Sequence, residues 1–197
     1  MVAGIILAAG SSARMGEPKA LLKIGDKTFL QHIADVLISA CIIDLVIVIG
    51  ADEEKIKPTL DWFSGKIVRN SDWPTGQLSS IIAGINALEQ NDLHGAMICP
   101  VDHPLLTQRL IVDLLQVFWK SNKRIIVPTY QGRRGHPVIF ESSLFNDLRA
   151  APPEIGARAV VQKHRAEVIE VPTEEEGVLT NIDTPADYGS MKLLSTV

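Results

Sequence analysis

Apolar positions along the chain fall into two alternating rhythms. Residues 3–8, 44–50, 95–101 and 124–128 are short apolar runs without polar alternation, the pattern of strands covered on both faces. Between them, residues 28–40 carry Phe29, Leu30, Ile33, Val36 and Leu37, and residues 76–90 carry Leu78, Ile81, Ile82, Ile85 and Leu88. Residues 107–119 carry Leu110, Ile111, Leu114, Leu115 and Phe118. These i, i+3, i+4, i+7 stripes predict helices that lay one face on a sheet. A further strand is expected over 66–69. Strand and helix alternate in this way to residue 128, as in a mostly parallel α/β sheet with right-handed crossovers. Beyond it the rhythm loosens: 137–140 and 166–171 read as strands, 142–149 and 155–163 as short helices, and 184–194 as a closing helix.

Composition narrows what such a sheet could serve. With 197 residues there is enough chain for one substantial core, so a single domain is expected. The formal net charge of −4 gives no general attraction to polyanions. Nucleic acid is therefore not an expected partner, and any phosphate site must be a local gathering of Lys and Arg. No apolar run reaches the roughly 20 residues that span a bilayer, and the first residues lack a cationic leader region, so neither membrane nor secretion is expected. Cys41 and Cys99 lie singly in apolar runs, which predicts buried thiols in a reducing, cytoplasmic setting.

Open α/β sheets collect ligands at the carboxyl ends of their strands, and there the informative stretches fall. The first is LAAGSSARMGEPKALL, residues 7–22. It fits neither GxxxxGK[ST] nor GxGxxG. It still offers Gly10 for close backbone approach, the hydroxyls of Ser11 and Ser12, and two cations, Arg14 and Lys19, suited to a triphosphate. A plain connection between strand and helix has much the same composition. The second stretch is Cys99-Pro100-Val101-Asp102-His103-Pro104-Leu105, with Asp102 at a strand end. A helix cap is the ordinary use of such an aspartate, but the helix here starts near Thr107. A hard carboxylate in that position suits Mg²⁺, which keeps several waters and takes one or two carboxylates plus substrate phosphates.

Later, Thr184, Pro185 and Asp187 form a capping pattern that leaves Asp183 outside it, free to be a second metal ligand. Residues 70–80, NSDWPTGQLSS, put a turn before a helix whose first residues are Gln77, Ser79 and Ser80. The segment 131–137, QGRRGHP, concentrates Arg133, Arg134 and His136 in a loop that is either a flexible hairpin or a second anion pocket. The run 174–176, Glu-Glu-Glu, reads as a solvated turn.

Taken in order, these stretches resemble one family. The opening loop is similar to the signature of the MobA-like nucleotidyltransferases. Five further stretches resemble the MocA branch, the molybdenum cofactor cytidylyltransferases: Gly76-Gln77-Leu78-Ser79-Ser80, Asp102 to Leu105, Arg134 to Pro137, Gly156-Ala157-Arg158 and Ile182 to Pro185. The resemblance spans residues 3–189 and implies the nucleotide-diphospho-sugar transferase type of α/β/α sandwich around a Rossmann-like sheet. Residues 1–128 would serve the nucleotide and 129–183 the acceptor. It also implies a reaction in which a phosphate on the acceptor, molybdopterin, attacks the α-phosphorus of CTP and releases pyrophosphate.

Carried over by position, the resemblance has the backbone of Leu7, Ala8, Ala9 and Gly10 contact the base, with Ser11 and Ser12 in the same loop. Arg14 and Lys19 would hold the triphosphate, Ser79 and Ser80 lie beside the nucleoside, Asp102 and Asp183 bind Mg²⁺, and Arg134, His136 and Arg158 face the acceptor. A molybdoenzyme or its chaperone would be the protein partner. Guanylyl enzymes of the family usually read Leu-Ala-Gly-Gly where this chain has Leu7-Ala8-Ala9-Gly10, so the methyl of Ala9 favours the smaller pyrimidine. Two departures stand out: His103 replaces the family's usual Gln, and Asn181 replaces an Asp. Alternatives within reach of the same residues are transfer to another small phosphorylated acceptor from GTP or CTP, a non-catalytic cofactor chaperone, and a Rossmann-type oxidoreductase.

Overall fold

The fold is described from a computed structural model, which covers residues 1–88 and 92–194. The chain runs β1 (Val2–Ala8), β2 (Lys23–Ile24), β3 (Lys27–Thr28), α1 (Phe29–Ser39), β4 (Leu45–Ile49), α2 (Glu53–Ile56), β5 (Lys66–Arg69) and α3 (Gln77–Ala87). It continues through β6 (Gly95–Pro100), α4 (Gln108–Lys120), β7 (Ile125–Tyr130), β8 (Arg133–Arg134), β9 (Val138–Glu141), α5 (Phe145–Arg149), α6 (Arg158–Lys163), β10 (Val168–Pro172) and α7 (Pro185–Leu194). The predicted elements all appear within a few residues of their expected bounds. The expected helix 155–163 begins later, at Arg158, and the end of the one expected over 76–90 falls partly outside the described residues.

The main sheet has the order β10-β7-β9-β6-β1-β4-β5, with β8 paired to β7. It is parallel through β6, β1, β4 and β5, while β9 runs antiparallel between β6 and β7. β1 is buried at all seven positions, and its side chains divide by period two. Val2, Ile6 and Ala8 join α1 and α4 on one face, while Ala3, Ile5 and Leu7 join α3, α5 and α6 on the other. These are the three layers. No described helix is long and apolar enough to cross a membrane.

Local chemistry sets the helix ends. Thr28 and Gln31 cap α1 reciprocally, and Thr107 caps α4 by accepting from the Leu110 N–H. Thr184 and Asp187 exchange bonds at the start of α7, as the sequence suggests. After α1 the Cys41 N–H reaches Ile38 O and the Ile42 N–H reaches Leu37 O. That pairing puts Cys41 in the left-handed position usually given to glycine. Cys41 is consequently exposed, not buried as its apolar surroundings suggest, whereas Cys99 is buried. The acidic run is not merely solvated either, because Glu175 accepts from the Thr107 hydroxyl.

One long-range feature positions the site. The segment before α7 wedges between the loop after β6 and the loop before β9. Its fit depends on two glycines: a Cβ on Gly177 would lie 2.5 Å from Leu105 O, and one on Gly135 would lie 2.3 Å from Val178 O. The wedge is tied by His136 N–H to Val178 O (2.9 Å) and by Ile182 N–H to Asp102 O (2.8 Å).

Candidate active site

At the carboxyl ends of β1 and β6 the backbone stops pairing and opens a cavity of about 340 Å³. Leu7 O still accepts from Val101 N–H, and Ala9 O from Ala51 N–H, so the start of the loop is held from both neighbouring strands. Residues 12–16 then close a turn in which the N–H groups of Met15 and Gly16 both reach Ser12 O. Ser12 uses its hydroxyl oxygen to accept from the Lys19 N–H at 2.9 Å, fixing the point from which the lysine side chain departs. Leu7, Ala8, Ala9, Gly10, Ser11, Ser12, Arg14, Lys19, Ser80, Asp102 and Asp183 all line this cavity.

Four of those residues form a charge cluster. The Lys19 ammonium contacts Asp102 Oδ2 at 3.3 Å and also bonds Asp183 Oδ1. Arg14 reaches Asp183 Oδ2 at 2.9 Å, and Asn181 Nδ2 donates to the same oxygen. Lys19 is largely covered while Arg14 is 71% exposed, so the lysine is held within the cluster and the arginine reaches into it from the surface. The lysine hydrogen bond is the largest influence holding the Asp183 carboxyl below its usual range, against the opposing cost of burial. The bond thus favours the ionised form of Asp183.

The donor set suits a hard divalent ion. Two carboxylates already converge on one cation, and no third His, Cys, Asp or Glu joins them among the described residues. Mg²⁺ accepts such a site readily because substrate phosphates and water complete its shell.

Other walls of the cavity were not legible as site residues. Trp73 and Pro74 also line the cavity. Their signal in the sequence was an aromatic in an otherwise polar turn. Asn70, which is buried, holds that turn: Nδ2 donates to the hydroxyls of Ser79 and Ser80, each at 2.9 Å, and Oδ1 accepts from the Asp72 N–H. Ser79 spends its own proton on Asp72 O and Gly76 O, so it latches the helix start and lies behind the wall that Ser80 forms. Ala9 is buried with its methyl beside Gly50, where an added Cβ would lie 2.9 Å away.

A second cavity, about 670 Å³, adjoins the first. Ile81, Ile98, Val127 and Phe140 give it an apolar side, and Arg134, His136 and Arg158 line it together. Arg134 is paired with Glu170 at 2.8 Å; Arg158 has no side-chain partner among the described residues. The expected division at residue 128 does not separate the two cavities, since Asp183 completes the first and Gln77 and Ile98 line the second.

His136 sits against His103, with ring centroids 4.8 Å apart and both Nδ1 atoms buried without a partner among the described residues. Burial, and then the neighbouring His103, push His136 down to about 4. Both imidazoles lie below their ordinary range, His103 also chiefly through burial, so near neutrality the pair is uncharged.

Comparison with known proteins places this arrangement. A probable molybdenum cofactor guanylyltransferase of Mycolicibacterium paratuberculosis is 30% identical over 195 residues, covering 96% of this chain and 94% of the relative. Nicotine blue oxidoreductase of Paenarthrobacter nicotinovorans is 28% identical over 192 residues, covering 93% and 92%. The crystal structure of Rv0371c from Mycobacterium tuberculosis superposes with a TM-score of 0.85 at 25% identity and 96% coverage of both chains. The same protein has also been solved as a manganese complex, with a TM-score of 0.81, 24% identity and coverage of 100% and 99%. The sequence matches the MobA-like NTP transferase domain over residues 4–168. The chain belongs to the MobA-like NTP transferase family and is a nucleotidyltransferase.

Proposed function

We propose that the chain transfers CMP from CTP to the phosphate of molybdopterin, with Mg²⁺, releasing pyrophosphate. The observation that carries this reading is the adjacency of two unlike cavities, one walled by the signature loop with two cations and two carboxylates, the other larger, with an apolar side and two arginines. A phosphate joined to a flat heterocycle fits that pairing. The curated relative's name supports molybdenum cofactor as the acceptor.

In the first cavity the loop backbone and the surface of Trp73 bracket the base, and Arg14 and Lys19 turn from the carboxylates to the triphosphate. Asp102 and Asp183, so released, would hold the divalent ion, which when bound would supply positive charge against the phosphates. An oxygen of the acceptor phosphate forms the new bond to that phosphorus as the bond to the β-phosphate oxygen breaks, and pyrophosphate carries away the electron pair. The acceptor is already anionic, so no protein base has to remove a proton. Positioning and fixed positive charge supply most of the rate.

Base choice is assigned to Ala9, which lines the cavity within the signature loop. GTP is the second reading, favoured by the relative's guanylyl name. Purified protein given molybdopterin and Mg²⁺ or Mn²⁺, with CTP or GTP, is expected to release pyrophosphate faster with CTP and to yield the cytidine dinucleotide. A preference for GTP would overturn the base assignment. Absence of turnover with either nucleotide would overturn the acceptor.

A further inference from the structure

Gln77 is a lining residue of both cavities, and the nucleotide and acceptor sites meet there. It is the first residue of α3, after Gly76, and no side chain caps that helix. Its carboxamide is exposed and makes no hydrogen bond among the described residues, so it holds nothing in the fold together.

Chemistry at a shared wall is constrained. The acceptor's body fills the second cavity, yet its phosphate must reach the α-phosphorus in the first, so that phosphate crosses the position of Gln77. Two anionic groups crowd there at the moment of transfer. An acidic side chain would repel both, and a cation would bind the acceptor phosphate and the departing products alike. A neutral amide donates a hydrogen bond without either penalty.

Local structure alone would choose differently. The first turn of a helix favours an acidic side chain, because the helix dipole and the free N–H groups are positive there. Glutamate differs from glutamine by one atom and would suit that position at least as well for stability. Fold and transfer therefore make opposite demands on this residue.

We propose that the Gln77 amide positions the acceptor by donating a hydrogen bond to its phosphate as an oxygen of that phosphate attacks the α-phosphorus and pyrophosphate leaves. This rests on the reading of the two cavities given above. The test uses the full chain as wild type, Gln77→Ala and Gln77→Glu. Three quantities are measured: thermal melting, binding of molybdopterin to protein saturated with Mg²⁺ and the unreactive α,β-methylene analogue of CTP, and turnover with CTP.

Gln77→Glu is expected to melt at or above the wild-type temperature yet lose about 100-fold in kcat/KM for the acceptor, as repulsion replaces one hydrogen bond to a charged group. Gln77→Ala should lose about tenfold in acceptor binding while its affinity for the nucleotide analogue stays within about threefold. Transfer by Gln77→Glu at the wild-type rate would overturn the inference, as would equal losses of nucleotide and acceptor binding in Gln77→Ala. If the wild type binds the nucleotide analogue but not molybdopterin, the acceptor reading falls and the inference with it. If the wild type turns over and both variants match it, only the inference falls.

Discussion

The two cavities are built from different materials. The first is half contiguous sequence, with residues 7–19 folded around the hydroxyl of Ser12, and its business is charge: two cations balanced by two carboxylates. The second is larger, gathered from helices and strands between Gln77 and Gln162, and mixes an apolar side with charged and polar side chains. A triphosphate and its metal demand fixed charges at fixed points, which a tight loop supplies. An acceptor is recognised by shape with a few cations at the edge, which scattered side chains can supply as well. Damage to the first should therefore stop the reaction, and damage to the second should mainly change what is bound.

The largest expected effect is on the first cavity. Asp102→Ala should lower turnover by about 10²- to 10³-fold, the scale for losing one preorganised electrostatic group, with the melting temperature unchanged. Comparable turnover by the variant in a pyrophosphate-release assay would erase the contrast. Next, Arg158→Ala should raise the acceptor KM about tenfold, the equivalent of 1.4 kcal/mol, and leave the nucleotide KM alone. A matching rise in the nucleotide KM would mean that the cavities do not divide the labour.

A smaller effect concerns stability on the acceptor side. His136 titrates near 4 when folded and near its ordinary 6.5 when unfolded. Between those values the unfolded chain takes up a proton that the folded chain refuses. Stability should therefore fall as pH drops from 6.5 towards 4, by up to about 1.4 kcal/mol per pH unit, and this contribution should level off below that window. His136→Asn should flatten this part of the curve in urea melts taken across the range. The smallest effect is Ala9→Gly, expected to move the CTP-to-GTP ratio of kcat/KM towards GTP by about three- to tenfold, the range for one methyl in a pocket. An unchanged ratio would free Ala9 from any part in base choice.

The contrast also explains what the sequence could reveal. Strands and helices were legible because each is a local pattern: β1 is a run of apolar residues, and α1 has its stripe and its Thr28 cap. The charged cavity was legible because its loop is contiguous and its carboxylates stand at element ends, where Asp102 and Asp183 had no structural employment. Trp73 was not, nor was the contact of His103 with His136. Their importance comes from which element lies opposite them, and no local spacing records that. Ser79 and Cys41 mark the same boundary from the other side. One hydroxyl is used within its own turn, and one thiol is turned outward by a left-handed helix end.

The wedge before α7 sets the order in which the protein comes together. The centre of the sheet already joins β1 to β6 across about 93 residues, and Lys19 and Asp183 meet across a still larger separation of 164 residues. Contacts of that span form late, because their loop must be closed before they contribute anything. On the proposed reading, a chain with a complete sheet but an undocked wedge should lack Asp183 at the charged cavity and is expected to turn over slowly, if at all. Nucleotide-dependent turnover is then expected to report docking of this segment, which local opening could undo while the sheet stays intact.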